Sequence, residues 1–141
     1  MALRLTLKPG ERVIVGEALL RNGSRRAHLV VENEVPILRE SDILLPQAVA
    51  SPAERVYLAL ELAYVDPKRR PAHLATFRGL ADELIAAAPS LRPLVAEIRA
   101  RVAAETFYRA LKSAHVLLQR ERGLLRRCTG TPSRLTSRAA R

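Results

Sequence analysis

The sequence contains a single cysteine, Cys128, and this scarcity excludes a disulfide framework within one chain. The absence of disulfides fits a reducing cytosol. A chain of 141 residues can bury roughly 68% of the surface that its unfolded form exposes, so it needs neither a disulfide nor a metal ion to fold. The length suits one domain, or one small domain with an appendage.

Long apolar runs are missing as well. No stretch approaches the ~20 apolar residues that a membrane-spanning helix needs. The N-terminus reads MALRLTLKPG, which lacks the charged-then-apolar pattern of a secretory signal. We therefore expect a cytoplasmic protein that does not associate with a membrane.

Residue types that carry catalysis or bind metals are few and scattered. The histidines at positions 28, 73 and 115 form no HExxH motif and no other close metal-binding spacing, and Cys128 has no histidine near it. The glycines match neither a dinucleotide-binding nor a P-loop spacing. The sequence therefore predicts a protein that is not an enzyme and that has no metal site and no cofactor.

Aromatic residues make up only 4% of the chain, and tryptophan is absent. All five lie on predicted helices, mostly in core-facing stripes: Tyr57, Tyr64, Phe77, Phe107 and Tyr108. This placement argues against the aromatic stacking platform of many single-strand RNA-binding domains. Any contact with RNA would then rest on arginine, lysine and the backbone.

Positive charge, by contrast, is abundant. The formal net charge is +10, and residues 104–141 hold nine Lys/Arg against two Asp/Glu. The basic residues are 21 arginines and only 3 lysines. The planar guanidinium suits phosphate and stacks on bases, so this balance permits nucleic-acid binding. Codon usage in a GC-rich genome is the other explanation of the arginine excess.

The first 45 residues are typical of a small antiparallel β unit. Leucines alternate with polar residues in LRLTLK, which is the period of a half-buried strand. A Pro9-Gly10 turn follows, and RVIVGEALL reads as further strand with a bend at Gly16. These patterns predict four or five strands in a meander or barrel-like sheet.

The stretch RNGSRR predicts a hairpin between two of these strands. Asn-Gly at 22–23 favours a two-residue type I′ turn, because both central residues of that turn need positive φ. Such a hairpin would bring His28 near Glu17 and would project Arg21 and Arg26 together from its exposed face. These arginines are either a soluble turn that resists edge pairing or a clamp for phosphates and unpaired bases.

Residues 50–123 are typical of a bundle of about four helices. Ser51, Pro52 and Glu54 combine an N-cap, a proline at the first helical position and a capping-box glutamate. The first helix is predicted over 52–65, because an Asp-Pro pair follows it. The apolar spacing predicts three more helices, over about 71–88, 91–103 and 105–122.

The last residues differ in composition from the helical part. Residues 124–141 contain no acidic residue and are rich in Ser, Thr and Arg, so they are predicted to be a disordered basic tail. The chain is therefore predicted to have an α+β fold in three parts: a β unit over 1–45, helices over 50–123 and a tail over 124–141.

Three segments resemble the FlbT family of bacterial flagellar regulators: LTLKPGERVIVGEALLRNG, VENEVPILRESDIL and SPAERVYLALELAYVDP. Their order and spacing match, and the resemblance covers about residues 1–120. It implies a post-transcriptional repressor of flagellin synthesis that acts on the 5′ untranslated region of flagellin mRNA. It also implies a partner protein, FlaF, that works in the opposite sense.

The β unit is also similar to the carbon storage regulator family of small β-dimers that bind mRNA leaders. The similarity lies in LTLKPGE, VIVG and EVPILRESDI. Leu7 and Leu38 depart from that family, which has a basic residue and a histidine at these positions. The similarity implies RNA contacts at Leu5, Thr6, Lys8 and Arg39.

Two functional hypotheses follow from these patterns. In the first, the β unit presents a set of RNA-binding candidates to a flagellin mRNA leader: Leu5, Thr6, Lys8, Arg21, Arg25, Arg26 and Arg39. In the second, the chain binds FlaF or flagellin through a groove between its helices, and any effect on mRNA is indirect. The second hypothesis is motivated by the 52–65 helix, which is apolar on nearly all of its sides. The exposed edges of a small sheet would also suit a homodimer.

Overall fold

Five strands precede four helices in the structure, a computed structural model that describes residues 2–129 and the side chains up to residue 127. The α+β fold class is therefore confirmed. The strands are β1 (Leu3–Leu7), β2 (Arg12–Val15), β3 (Ala18–Arg21), β4 (Ala27–Val31) and β5 (Ile37–Arg39). The helices are α1 (Pro52–Val65), α2 (Arg70–Ala87), α3 (Arg92–Ala103) and α4 (Phe107–Thr129).

The strands form two small antiparallel sheets. One pairs β1 with β4, and the other has the order β3-β2-β5. A two-residue loop, Gly16-Glu17, joins β2 to β3, and Gly16 adopts the left-handed φ of 62° that such a tight turn requires. Leu5, Leu7 and Val13 form a small apolar core between the sheets.

The second sheet has two apolar faces because it lies between the first sheet and the helices. Val13 belongs to the small core between the sheets, whereas Ile14, its neighbour on β2, packs against the helical core. Leu38 on β5 pairs with Ile14 and is fully buried in that helical core. Successive strand residues point to opposite faces, which explains how one short strand serves both cores.

The predicted hairpin between β3 and β4 is wrong. β3 pairs with β2 and β4 pairs with β1, so the Asn-Gly segment crosses from one sheet to the other. Among residues 2–129, positive φ at glycine occurs at Gly10 and Gly16, not at Gly23. The predicted Glu17–His28 neighbourhood is wrong for the same reason, since the strand partner of His28 is Thr6.

The side chain of Asn22 explains why this segment crosses between the sheets. Its Nδ2 donates to the carbonyl oxygens of Leu7, Lys8 and Arg25 at 3.2, 2.8 and 2.8 Å. Its Oδ1 accepts from the Gly23 amide at 2.8 Å. Asparagine is therefore used here as a bridge between the end of β1 and the start of β4, rather than for its tolerance of positive φ.

The first helix begins and ends as the sequence predicts. Ser51 Oγ accepts from the Glu54 amide, and Glu54 Oε1 accepts from the Ser51 amide, which completes a capping box. A buried glutamate of α4, Glu121, accepts a further hydrogen bond from the Ala53 amide at 2.9 Å. The helix is central, and its buried side chains pack against α2 and α4.

The later helices differ from expectation mainly at their ends. α2 and α3 begin after short 3-10 turns at Pro67–Arg69 and Pro89–Leu91. α4 begins two residues later than predicted and continues to Thr129, so residues 124–129 are helical. The rest of the predicted disordered tail, 130–141, lies outside the described residues. Within 2–129, no helix is long and apolar enough to cross a membrane.

A buried carboxylate joins the β unit to the helices. Asp42, in the 3-10 turn that follows β5, is only 5% exposed. Its Oδ1 accepts from Lys112 Nζ at 2.8 Å and lies 2.9 Å from His115 Nε2, both on α4. Its backbone oxygen accepts from the Tyr57 hydroxyl on α1. The exit from the β unit is thus held by two helices.

We predict that Asn22→Ala lowers the free energy of unfolding by about 1–3 kcal/mol, because it removes the bridge and leaves a part-buried carbonyl without its donor. Asn33→Ala is the matched control, since Asn33 is exposed in the same β unit, and its effect should stay within about 0.5 kcal/mol. Urea unfolding of the two variants tests this. Equal stability of the two variants would contradict the bridging role.

Candidate functional site

A polar groove opens where the turn between β1 and β2 faces the end of β5. Its volume is about 740 Å³. The walls come from β1 and its turn, from the start of β4, and from the segment after β5. The lining residues are Thr6, Lys8, Pro9, Gly10, Glu11, Arg26, Arg39, Glu40 and Ser41.

The turn that forms one wall is fixed at several points. The Glu11 amide donates to the Lys8 carbonyl at 3.0 Å, and Glu11 Oε1 accepts from the Lys8 amide at 2.8 Å. Gly10 has a φ of 73°, and its amide donates to the Gly23 carbonyl at 2.9 Å. The backbone around Lys8 is therefore preorganised, which lowers the entropic cost of binding a ligand.

Arg39 forms the other side of the groove, and its position depends on strand β1. Its Nη2 donates to the Thr6 carbonyl at 2.7 Å and lies 3.5 Å from Glu11 Oε2. The side chain is still 45% exposed. A guanidinium has five N–H donors, so an arginine held through one nitrogen can still present the others to an anion.

The groove is moderately cationic. Its lining contains three cations, Lys8, Arg26 and Arg39, and two carboxylates, Glu11 and Glu40. Both carboxylates have internal partners. Glu40 accepts from the Arg12 amide at 2.8 Å, and Glu11 accepts from the Lys8 backbone amide and pairs with the Arg39 guanidinium. Within residues 2–127 neither Lys8 nor Arg26 is recorded in an ion pair. These two cations are therefore the ones best placed to meet phosphate.

Four of the seven residues that the sequence singled out meet in this groove: Thr6, Lys8, Arg26 and Arg39. The other three do not line it. Leu5 is buried in the core between the sheets. Arg21 lies opposite Arg12 on the second sheet, and Arg25 contributes its carbonyl to the Asn22 bridge. The predicted joint projection of Arg21 and Arg26 is wrong, because it required the hairpin that does not form.

Sequence reasoning missed two features of this surface. His28 shares a face of the first sheet with Thr6, and its Nδ1 lies 3.2 Å from Thr6 Oγ1. The exposed fraction of Tyr108 is 41%, although its helix was expected to hide the aromatic side chains. The register of β1 with β4 is long-range, so no local pattern could have revealed the first feature. Tyr108 directly follows Phe107, which lies on the core-facing apolar side predicted for this helix.

A cluster of titratable side chains lies at the junction around Asp42, which directly follows Ser41 of the groove lining. Burial raises the pKa of the Tyr57 hydroxyl, which keeps it protonated as a donor to the Asp42 backbone oxygen. The hydrogen bond to Asp42 raises the pKa of the Lys112 ammonium. The members satisfy one another, which is typical of a structural network rather than of a site that awaits a substrate.

Glu61 is a further member of this cluster, and it is the carboxyl whose pKa lies furthest above its ordinary value among residues 2–127. It is 4% exposed on α1, and its Oε1 accepts from the Leu44 amide at 2.8 Å. Burial raises the pKa of its carboxyl to about 7. The Leu44 hydrogen bond opposes this rise, and the nearby charge of Asp42 adds to it.

No group of three or more His, Cys, Asp or Glu side chains that could hold a metal ion occurs among the described residues.

The fold and groove together define a small basic α+β protein with a preorganised polar groove that is lined by three cations and two carboxylates. The chain belongs to the FlbT family, because the family profile "Flagellar protein FlbT" matches residues 3–125. The family resemblance of the sequence is thereby confirmed. The similarity to the carbon storage regulator family stays a prediction.

Curated relatives support the same assignment. "Probable flagellum biosynthesis repressor protein FlbT 1" of Bradyrhizobium diazoefficiens is 42% identical, over 88% of this chain and 85% of the relative. "Probable flagellum biosynthesis repressor protein FlbT" of Rhodopseudomonas palustris is 34% identical, over 90% and 100%. "Flagellum biosynthesis repressor protein FlbT" of Caulobacter vibrioides is 32% identical, over 86% and 87%. These are names of regulators, not of enzymes. No solved structure matches the chain.

We predict that Glu61 makes the protein less stable as pH rises from about 4.5 to about 7. In that window the unfolded chain loses the Glu61 proton while the folded chain keeps it, so folding becomes less favourable by roughly 2–3 kcal/mol. Glu61→Gln should remove this part of the pH dependence and raise stability at pH 8, because glutamine can still accept from the Leu44 amide. Urea unfolding at several pH values measures it.

The matched control is Glu83→Gln, the same change at an exposed position on α2. Its stability profile should follow that of the unaltered protein between pH 4.5 and pH 7. If Glu61→Gln and Glu83→Gln give the same profile, the buried Glu61 carboxyl does not titrate as described.

Proposed function

We propose that this protein regulates flagellum biogenesis by binding the 5′ untranslated region of a flagellin mRNA and repressing flagellin synthesis. The names of its relatives support the flagellar regulatory role. The observation that carries the RNA-binding step is the groove, where Lys8, Arg26 and Arg39 converge from three separated parts of the chain. The net charge of +10 favours the approach of any polyanion.

The groove suits the backbone of a single strand. Lys8 and Arg26 bind phosphates as cations, and Arg39 donates from the guanidinium nitrogens that β1 does not use. The Thr6 hydroxyl can donate to or accept from a ribose 2′-OH, which distinguishes RNA from DNA. While the leader is bound in the groove, other molecules cannot bind the same single-stranded segment. This exclusion would repress flagellin synthesis without any catalytic step.

A second candidate function is a protein-interaction module for a FlaF-type partner. Leu19 and Leu20 on β3 and Val30 on β4 are 52, 43 and 58% exposed. In the described part of the chain β3 and β4 each pair with a strand on one side, so an extended segment could add to the free edge of either. The apolar side chains of α1 that motivated a helical groove are mostly buried.

We predict that Lys8→Ala/Arg26→Ala binds a flagellin leader RNA at least roughly tenfold more weakly than the unaltered protein near ~150 mM salt. The slope of log K against log salt should become shallower by about 1.4, since each phosphate contact to a single strand contributes about 0.7. Fluorescence anisotropy across a salt series measures both quantities.

Arg21→Ala/Arg25→Ala is the matched control, because it removes the same two charges from the β unit but not from the groove lining. Its affinity should fall less than about threefold, with the slope unchanged. Equal losses in the two double variants would mean that bulk charge alone drives binding. No loss in the groove variant would rule out the groove.

Adding purified FlaF to the same titration separates the two candidate functions. Selective binding of the leader by the protein alone supports the direct RNA role. Weak, unselective RNA binding together with a stable protein complex, detected by light scattering, supports the second candidate. Scattering also distinguishes a complex with FlaF from one with flagellin or with a second copy of this chain.

A further inference from the structure

One aromatic side chain stands apart from the others in its exposure. Tyr57 and Phe77 are each 1% exposed and Phe107 is 9% exposed, whereas Tyr108 is 41% exposed. Tyr108 lies in the first turn of α4. It contributes little to the helical core, so core packing does not account for an aromatic residue at this position.

The ring of Tyr108 is held in place by two neighbours. The ring centroid of Tyr64 lies 5.8 Å away at an interplanar angle of 46°. Lys112 Nζ lies 5.3 Å from the Tyr108 centroid, and the same nitrogen is anchored 2.8 Å from Asp42 Oδ1. An exposed ring that is already ordered loses little conformational entropy when a flat ligand stacks on it.

The tyrosine pair separates two cavities that are lined by arginines. One cavity, of about 320 Å³, has Arg4 and Arg39 in its lining beside Tyr64 and Tyr108. The other, of about 380 Å³, is lined by the same two tyrosines together with a second pair of arginines, Arg70 and Arg109. A flat ring with cations on both sides is the arrangement that binds an unpaired base between two phosphates.

The first of these cavities continues the groove. Arg39 lines both the groove and this cavity. Arg4 and Thr6, two residues apart on β1, share one face of the first sheet, with Thr6 at the groove and Arg4 at the cavity. A strand bound at Lys8 can therefore follow β1 past Arg39 into this cavity and reach Tyr108, with Arg39 and Arg4 along the way.

We propose that Tyr108 is a stacking platform for an unpaired base of the RNA that occupies the groove. This inference rests on the proposed function and extends the binding surface from the β unit onto α4. One of the two phosphates that flank the stacked base lies against Arg4 and Arg39, and the other lies against Arg70 and Arg109 in the second cavity. Stacking tolerates any base, so Tyr108 contributes affinity and requires a single-stranded segment, but it does not select a sequence.

Three substitutions of Tyr108 test the platform. Tyr108→Phe keeps the π face and should bind a flagellin leader RNA within about twofold of the unaltered protein. Tyr108→Ala and Tyr108→Leu should each bind roughly tenfold more weakly, because both lose the π face. The leucine keeps apolar bulk, so its weaker binding would be due to the lost π face and not to lost volume. The salt slope should stay unchanged in all three, since no phosphate contact is removed. Thermal unfolding verifies that each variant is folded.

A second readout reports stacking directly. A leader RNA with 2-aminopurine in its unpaired segment should lose fluorescence when the unaltered protein or Tyr108→Phe binds. It should lose clearly less when saturated with Tyr108→Ala. Full affinity and full quenching with Tyr108→Ala would overturn the platform while leaving groove binding intact.

The remaining outcomes are also decisive. If the unaltered protein does not bind the leader at all, the proposed function fails and the platform fails with it. If Tyr108→Ala weakens only a complex with FlaF and leaves RNA affinity unchanged, the tyrosine belongs to a protein interface, and the inference is overturned.

Discussion

One buried carboxylate, Asp42, joins the β unit to two helices. Leaving such a group without a partner in a protein interior costs on the order of 3–5 kcal/mol, so its partners must stay in place. Those partners are Lys112 and His115 on α4, while Tyr57 on α1 holds the Asp42 backbone. Because Asp42 follows Arg39 by only three residues, the same contacts that satisfy the charge fix the end of β5 and one wall of the groove.

Lys112 links this network to the surface proposed to bind RNA. Its ammonium contacts Asp42 on one side and the ring of Tyr108 on the other. Arg39 makes a similar link within the β unit, since it bonds to β1 and lines both the groove and the adjoining cavity. The groove and the tyrosine are therefore parts of one surface built from both halves of the chain. The proposal that this surface binds a single strand relies on this continuity, because the β unit itself contains no aromatic residue.

Local patterns predicted most of the fold, and long-range contacts account for what they missed. The capping box at Ser51 and the leucine alternation in β1 are local, and both were right. The Asn-Gly pair does not form the predicted hairpin turn, because Asn22 bonds to carbonyls that lie about fifteen residues away in sequence. Lys8 and Arg39 were singled out by family similarity, but their meeting in one groove depends on strand pairing. The exposure of Tyr108 depends on where the β unit packs, which helical periodicity does not encode.

Amide chemical-shift mapping by NMR can show whether the groove is the RNA-binding surface that we propose. A flagellin leader RNA is titrated into the full chain near physiological salt. We expect the largest shifts at Lys8, Gly10 and Arg39, and no change around the separate cavity beside Phe77 and Arg99. Shifts confined to the exposed edges of β3 and β4, or equal shifts over all basic residues, would contradict it.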